Sequence, residues 1–258
     1  MSNAPTADLV RSHLQQMIAS GKRSDGRGPW DYRPIKIHKG YVSSAEGSAR
    51  VTLGATDVLV GVKMALGEPY PDSPNAGTLS TAAELVPMAS PTFEMGPPSP
   101  NAIELARVVD RGIRETKTID FKKLCIVPGE KVWTVFLDIH VLDYDGNLFD
   151  ACSYGSLAAL SVANFPANEK LGTPASPLPV EHHPISITVA KIGKTIIADP
   201  ALEEEEIADA RLTVAIDEND DIRAMQKGLN GSFTYDDVVE VIQAAQRKSK
   251  EIRPRIVG

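Results

Sequence analysis

The stretch VWTVFLDIHVLDYDGNLFDACSYGSLAALSVAN, residues 132–164, decides the fold. Trp133, Val135, Leu137, Ile139 and Val141 alternate through its first part, the period of a strand with one buried face. Tyr144, Asp145, Gly146 and Asn147 supply a turn. From 150 to 164 the residues are small and apolar almost all round, which predicts a helix buried over most of its surface.

Working outward, residues 101–120, NAIELARVVDRGIRETKTID, read as a second helix. Arg107, Arg111 and Arg114 stand at i, i+4 and i+7, so their guanidinium groups form a column on one face. Ile103, Ala106, Val109 and Ile113 occupy the neighbouring arc and are expected in the core. Two readings stay open. The column is either a solvated face partly balanced by Glu104 and Glu115, or a comb that grips a polyanion.

Before this helix, 47–64 read as a hairpin turning at 54–57, and 35–37 open another alternating run. Residues 67–100 are proline-rich and read as a functional loop region; LSTAAELVPMA within it has strand or short-helix character. An amphipathic helix over 6–19 is predicted, with Thr6 as N-cap and Gly21 just past its end. After the buried helix, 165–184 carry five prolines, and few contacts are expected across such a segment. The last seventy residues read as a small α/β unit. It comprises a hairpin about Gly193, strands over 210–216 and 222–227, and a helix capped by Thr234 and Asp237 with Val238, Val239, Val241, Ile242 and Ala245 inward. The expected division is an N-terminal helix over 1–22, a first domain over 23–165, a linker over 166–184 and a second domain over 185–258.

The chain has 258 residues, 42% of them hydrophobic, and a formal net charge of −7. That length and composition suit a globular protein with a sizeable core, in one large domain or two smaller ones, and the strands and helices read above make its class α/β. The negative charge excludes a general affinity for nucleic acid, so any polyanion site has to be local. Two cysteines, Cys125 and Cys152, in apolar sequence predict buried free thiols in a reducing compartment. With no signal segment and no apolar run of about 20 residues, a cytoplasmic location is expected. His182 and His183 have no carboxylate or thiol at ligand spacing, and the tract from Glu203 to Glu206 with Asp209 reads as solvated acidic surface rather than a metal site.

Several ordered pieces now agree: Arg23-Ser24-Asp25-Gly26-Arg27 followed by Arg33-Pro34-Ile35, then GSARVTLGATDVLVGV, ELARVVDRGIRET and VLDYDGNLFDACSYGSLAAL. In this order, over about 22–248, the chain resembles the RNase PH family, which includes polynucleotide phosphorylase and the ring subunits of the exosome. Within that family the N-terminal helix and the phrases LARVVDRGIRE and PGEKVWTVFLDIHVLDYDGNLFDA make it most similar to the larger, non-catalytic ring subunits of archaeal exosomes. The resemblance implies a first domain with a ribosomal-S5-like β/α arrangement and a smaller α/β domain. It also implies a partner catalytic subunit of the same fold, three heterodimers closing into a ring around a channel for single-stranded RNA, and leaves open whether RNA-binding cap subunits dock on it.

Active members of the family cleave RNA from its 3′ end by attack of inorganic phosphate. Their phosphate lies in a turn resembling Gly-Gly-Thr-Arg, and the matching turn here is Asp145-Gly146-Asn147-Leu148-Phe149. Leu148 and Phe149 offer the phosphate neither a hydrogen bond nor a charge. Of the family's carboxylate pair, alignment puts Glu205 at the first position and Arg211 at the second, and an arginine is neither a general acid at neutral pH nor a metal ligand. The resemblance therefore implies a catalytically silent chain with no cofactor and no metal, and it carries RNA-backbone contact onto Arg107 and Arg111. Arg114 joins them by spacing alone. An active, divergent phosphorolytic nuclease using the Glu203–Glu206 tract, and a scaffold that touches no RNA, are the competing readings.

Overall fold

The computed structural model describes residues 8–167 and 174–258. Thr6, the expected N-cap, lies outside them. Two antiparallel hairpins set the first sheet: β1 (Ile35–Lys39) pairs with β2 (Gly47–Leu53), and β2 with β3 (Thr56–Gly67). The turn at Gly54 has φ 61°, a conformation glycine adopts without a Cβ clash. β4 is Thr78–Leu85, β5 is Cys125–Val127 and β6 is Lys131–Asp143. The sheet runs β1-β2-β3-β6-β4, with β5 on β6. So 67–100 is not a loop throughout. LSTAAEL is a strand that pairs parallel to β6, Leu79 beside Val135 and Ala83 beside Ile139. A parallel neighbour needs a crossover, and α2 (Pro100–Thr116) supplies it.

The second sheet runs β10-β9-β11-β12, from β9 (Ile185–Ile192), β10 (Thr195–Ala198), β11 (Ala210–Ile216) and β12 (Ile222–Gly228). α3 (Leu148–Ser161) packs on β2 and β3 on one side and β9 on the other. That position explains why its sequence is apolar all round: twelve of its fourteen residues are buried. Gly155 permits a close approach, since a Cβ there would come within 2.7 Å of Val60 Cγ2.

One apolar core runs through both halves, from Val58, Leu137 and Leu105 through Leu157 to Ile187, Val214 and Ile256. The proline-rich segment is not a loose tether where it is described. β7 (Asn164–Phe165) pairs with β8 (Ser176–Pro177), Leu178 donates its N–H to Ala163, Glu181 to Thr118, and Val180 bridges Ile119. α1 (Asp8–Ala19) packs Leu14 and Ile18 onto Ile192, Ile197 and Ile207. α4 (Leu202–Ile207) is a helix absent from the sequence reading. α5 (Tyr235–Val257) is capped by Thr234 and Asp237 as expected. It extends to Val257 because Ser249, Ile252 and Ile256 continue the buried stripe, although Pro254 in the last turn forgoes the hydrogen bond back to the preceding turn. Of its expected inner face, Val241 and Ala245 are fully buried while Val238, Val239 and Ile242 are half-buried. Among the described residues no helix is long and apolar enough to cross a membrane.

Candidate functional site

α2 has defined ends. Ser99 Oγ accepts the Ala102 N–H at 3.2 Å, Pro100 opens the first turn where a missing N–H costs nothing, and Lys117 at φ 57° closes the last. Ala102, Leu105, Ala106, Val109 and Ile113 face the core. Ile103, expected there too, is 49% exposed. It stands four residues before Arg107, on the arginine side of the helix.

The three arginines project from the outer face and are exposed, but they are held differently. Arg107 makes no hydrogen bond or ion pair with any described residue. Arg111 has one bond, Nη1 to Gln226 Oε1 at 3.1 Å. Arg114 is clamped. Its Nε and Nη2 reach the two oxygens of Asp110 at 2.9 and 3.0 Å, Nη2 also donates to the Leu79 carbonyl, and the guanidinium lies 5.6 Å from the Phe121 ring centre. Asp110 is the carboxylate bonded to this column; Glu115 adds its charge beside Arg114, and Glu104 pairs with Arg211 instead. Arg107 and Arg111 line two grooves. One, of about 280 Å³, is completed by Thr81, Ala106, Asp110, Arg114 and Glu115, so all three arginines line it. The other, of about 350 Å³, is completed by Pro100, Ile103, Glu104, Val108 and Gln226.

Beneath α2 lies the turn Asp145–Phe149. Gly146, at φ 87°, would drive a Cβ within 2.5 Å of the Pro200 carbonyl. Asn147 takes a left-handed conformation as N-cap of α3, and its Nδ2 donates to Asp150 and Asp199 at 2.9 Å each. Leu148 and Phe149 are fully buried and belong to the core. A helix N-terminus attracts anions through its free N–H groups, and here the anion is internal: Glu205 Oε1 accepts the Asn147 N–H at 2.9 Å while Oε2 accepts the Tyr144 hydroxyl at 2.6 Å. Burial first, then the Glu205 charge, pushes the Tyr144 phenol above its ordinary range, so it remains a donor. Arg211 lies over the Phe149 ring, 4.0 Å from its centre, and pairs with Glu104 at 2.5 Å.

The acidic tract is therefore not solvated surface. Glu204, 1% exposed, binds Arg23 through both oxygens, at 2.7 and 2.5 Å. Glu203 meets Ser24 Oγ. Asp199, fully buried, accepts from Arg33, Arg27 and Asn147; despite burial, the Arg33 hydrogen bonds and charge hold its carboxyl below the usual range. His182 Nδ1 lies 2.6 Å from Glu218 Oε1, a partner 36 residues away, yet no cluster of three or more His, Cys, Asp or Glu that could hold a metal occurs among the described residues. Both cysteines are free; Cys152 is buried, its thiol pushed above the ordinary range by burial, and Cys125 is half-buried. Gln226 carried no signal in sequence, and Glu104 and Tyr144 were read only as a surface charge and a turn residue, because the partners of all three lie 61 to 115 residues away.

The chain matches the description "3' exoribonuclease family, domain 1" over residues 31–166 and "3' exoribonuclease family, domain 2" over 182–248. It is 51% identical to the exosome complex component Rrp42 of Pyrococcus horikoshii, over 97% of this chain and 94% of that protein. Its fold superposes with a TM-score of 0.93 and 44% identity on a chain of the Archaeoglobus fulgidus exosome with RNA bound to the active site, covering 96% of this chain and 98% of that one. An archaeal exosome core chain matches at 0.89 and 40%, covering 97% of each. A strand-turn-helix laid between two sheets, both family domains in order and identity near one half across nearly the whole chain make this protein a member of the RNase PH family of 3′ exoribonucleases.

Proposed function

We propose that this chain is a catalytically silent ring subunit of an archaeal exosome core, which grips single-stranded RNA beside the active site of a catalytic partner of the same fold. The observation that supports silence most is the occupied phosphate place. Leu148 and Phe149 are core residues, and Glu205 already accepts the Asn147 N–H, one of the groups at this helix start that would otherwise attract an anion. Inorganic phosphate brought there would meet a carboxylate and an apolar wall. Arg211, at the second carboxylate position, carries the wrong charge for metal and the wrong acidity for proton transfer.

Arg107, Arg111 and Arg114 are the proposed RNA contacts. Arg107 has its whole guanidinium edge available for bidentate phosphate binding, Arg111 all but one donor, and Arg114 the Nη1 edge left over from Asp110 and Leu79. The face of the first sheet opposite α3, with Lys63, Ala65, Phe136 and Ala82 exposed, offers a surface for the partner. A cytoplasmic site of action agrees with two unpaired cysteines.

The experiment combines purified chain, partner and RNA with inorganic phosphate. Expected are no nucleoside diphosphate from this chain alone, release on adding the partner, and weaker RNA binding by the ring carrying Arg107→Glu with Arg111→Glu. Loss of two phosphate contacts should flatten the log–log salt dependence by about 1.4. Nucleoside diphosphate made by the pure chain and abolished by Glu205→Gln would overturn silence. RNA crosslinks confined to the partner, with affinity unchanged in the double variant, would overturn the grip.

A further inference from the structure

Arg211 is 6% exposed on β11, and burying a charge is costly unless it is paired and hydrogen-bonded. It is only partly satisfied. Nη2 meets Glu104 Oε1 at 2.5 Å and the guanidinium rests on Phe149, but Nε is buried with no hydrogen-bond partner among the described residues. The bond to Glu104 crosses from the second sheet to α2, joining residues 107 positions apart. Glu104 stands one turn before Arg107 and two before Arg111, at i+3 and i+7 on the same side of the helix.

On this flank α2 is not seated by apolar packing alone. The groove of about 350 Å³ lined by Pro100, Ile103, Val108 and Gln226 opens between the helix and β12. Arg211–Glu104 and Arg111–Gln226 tie the helix to β11 and β12 here. With a helix radius of roughly 5–6 Å, a roll of about 10° moves a side-chain tip by about 1 Å. Charge-assisted N–H···O bonds hold within a few tenths of an ångström of 2.7–2.9 Å, roughly, so that roll is enough to misplace a phosphate contact.

Resting on the RNA-grip reading above, we propose that Arg211 is a positioning residue for that grip: by holding Glu104 it sets the rotation of α2 and hence the direction in which Arg107 and Arg111 project. The cation at the second carboxylate position acts on RNA through the neighbouring helix without touching it.

The test separates positioning from simple electrostatics by sign. A labelled single-stranded oligoribonucleotide is titrated against the assembled complex at several salt concentrations. Glu104→Ala and Glu104→Gln both remove a negative charge near the arginines, which by itself strengthens RNA binding. Only Gln keeps an acceptor for Arg211 Nη2. Expected is a loss of about threefold or more for Ala, a typical size for coupling through a neighbour, with a shallower salt slope, and affinity at or above wild type for Gln. Arg211→Met should resemble Glu104→Ala; if it fails to fold, the Glu104 pair decides alone. Equal tightening by Ala and Gln overturns the proposal, as does a lower melting temperature for Ala with unchanged affinity and slope. Arg107→Glu with Arg111→Glu is the control: if it weakens binding while Glu104→Ala does not, only the positioning role falls, and if it has no effect the grip itself falls.

Discussion

Replacing Phe149 by arginine would restore the guanidinium that the family's phosphate turn carries, and the structure says what that does. The ring is fully buried, so its removal costs about 3–5 kcal/mol in lost transfer energy and cavity. The Arg211 guanidinium lies 4.0 Å from the ring centre. A second guanidinium at about 4 Å adds about 4 kcal/mol of repulsion at an effective dielectric near 20. Glu205 faces the same turn and offsets part of this, but only by releasing Tyr144 or the Asn147 N–H. The net loss of several kcal/mol is comparable to the whole stability of an ordinary domain, about 5–15 kcal/mol. Urea unfolding followed by circular dichroism should show Phe149→Arg losing at least about half of the wild-type unfolding free energy, with no thermal stabilisation by inorganic phosphate. A variant within about 1 kcal/mol of wild type whose melting temperature rises with phosphate would refute the occupied-turn reasoning.

Asp199→Asn keeps the shape and tolerates the left-handed backbone at φ 47° but removes the buried carboxylate that Arg33 and Arg27 share, leaving them only the more exposed Asp145 and Asp25. Breaking such a buried pair costs about 3–5 kcal/mol, a drop in melting temperature of about 6–20 °C for a chain of this size. Because the native pKa is lowered, the gap between wild type and variant should hold at neutral pH and close as pH falls below the ordinary carboxylate range. Asp150 behaves oppositely. Burial pushes it up to about 7 against bonds from Asn147, Thr188 and Tyr32, so the fold prefers its protonated form. Stability relative to Asp150→Asn should fall between about pH 4 and 7, by up to about 1.4 kcal/mol per unit, and level off above. Urea midpoints at intervals across that range check the sign, and a stability difference that rises with pH would contradict it.

Much of the fold was legible because alternation and helical spacing report which face of an element is buried. The β2–β3 hairpin, β6, α3 and the capped start of α5 are local patterns of that kind. What the patterns do not report is the partner. LSTAAEL reads ambiguously because its register is set by β6, some fifty residues on. Glu203 to Glu206 reads as wet surface because Arg23, which buries Glu204, lies 181 residues away. Ile103 and Glu104 have the spacing of core and surface residues, and only the placement of β11 and β12 makes one a groove wall and the other a clamp. The arginine column itself was fully visible, but the difference between free Arg107 and clamped Arg114 depends on Asp110 and Leu79, whose geometry needs the sheet.

If the chain is silent as proposed, its silence is not a set of independent losses. Phe149 supports the Arg211 guanidinium, Arg211 holds Glu104, and Glu205 caps the turn that buries Phe149. Restoring a carboxylate at 211 alone would leave Glu104 unpaired and place a second negative charge near Glu205, while restoring a cation at 149 alone would oppose Arg211. Each of these single changes breaks a contact made by one of the other residues, so it costs stability without completing a site. The same interlock explains how a chain with net charge −7 can keep a local cationic ridge on α2. Glu104 is taken up by Arg211 and Glu205 by Tyr144 and the Asn147 N–H, and Arg107 is left outward with no carboxylate of its own among the described residues.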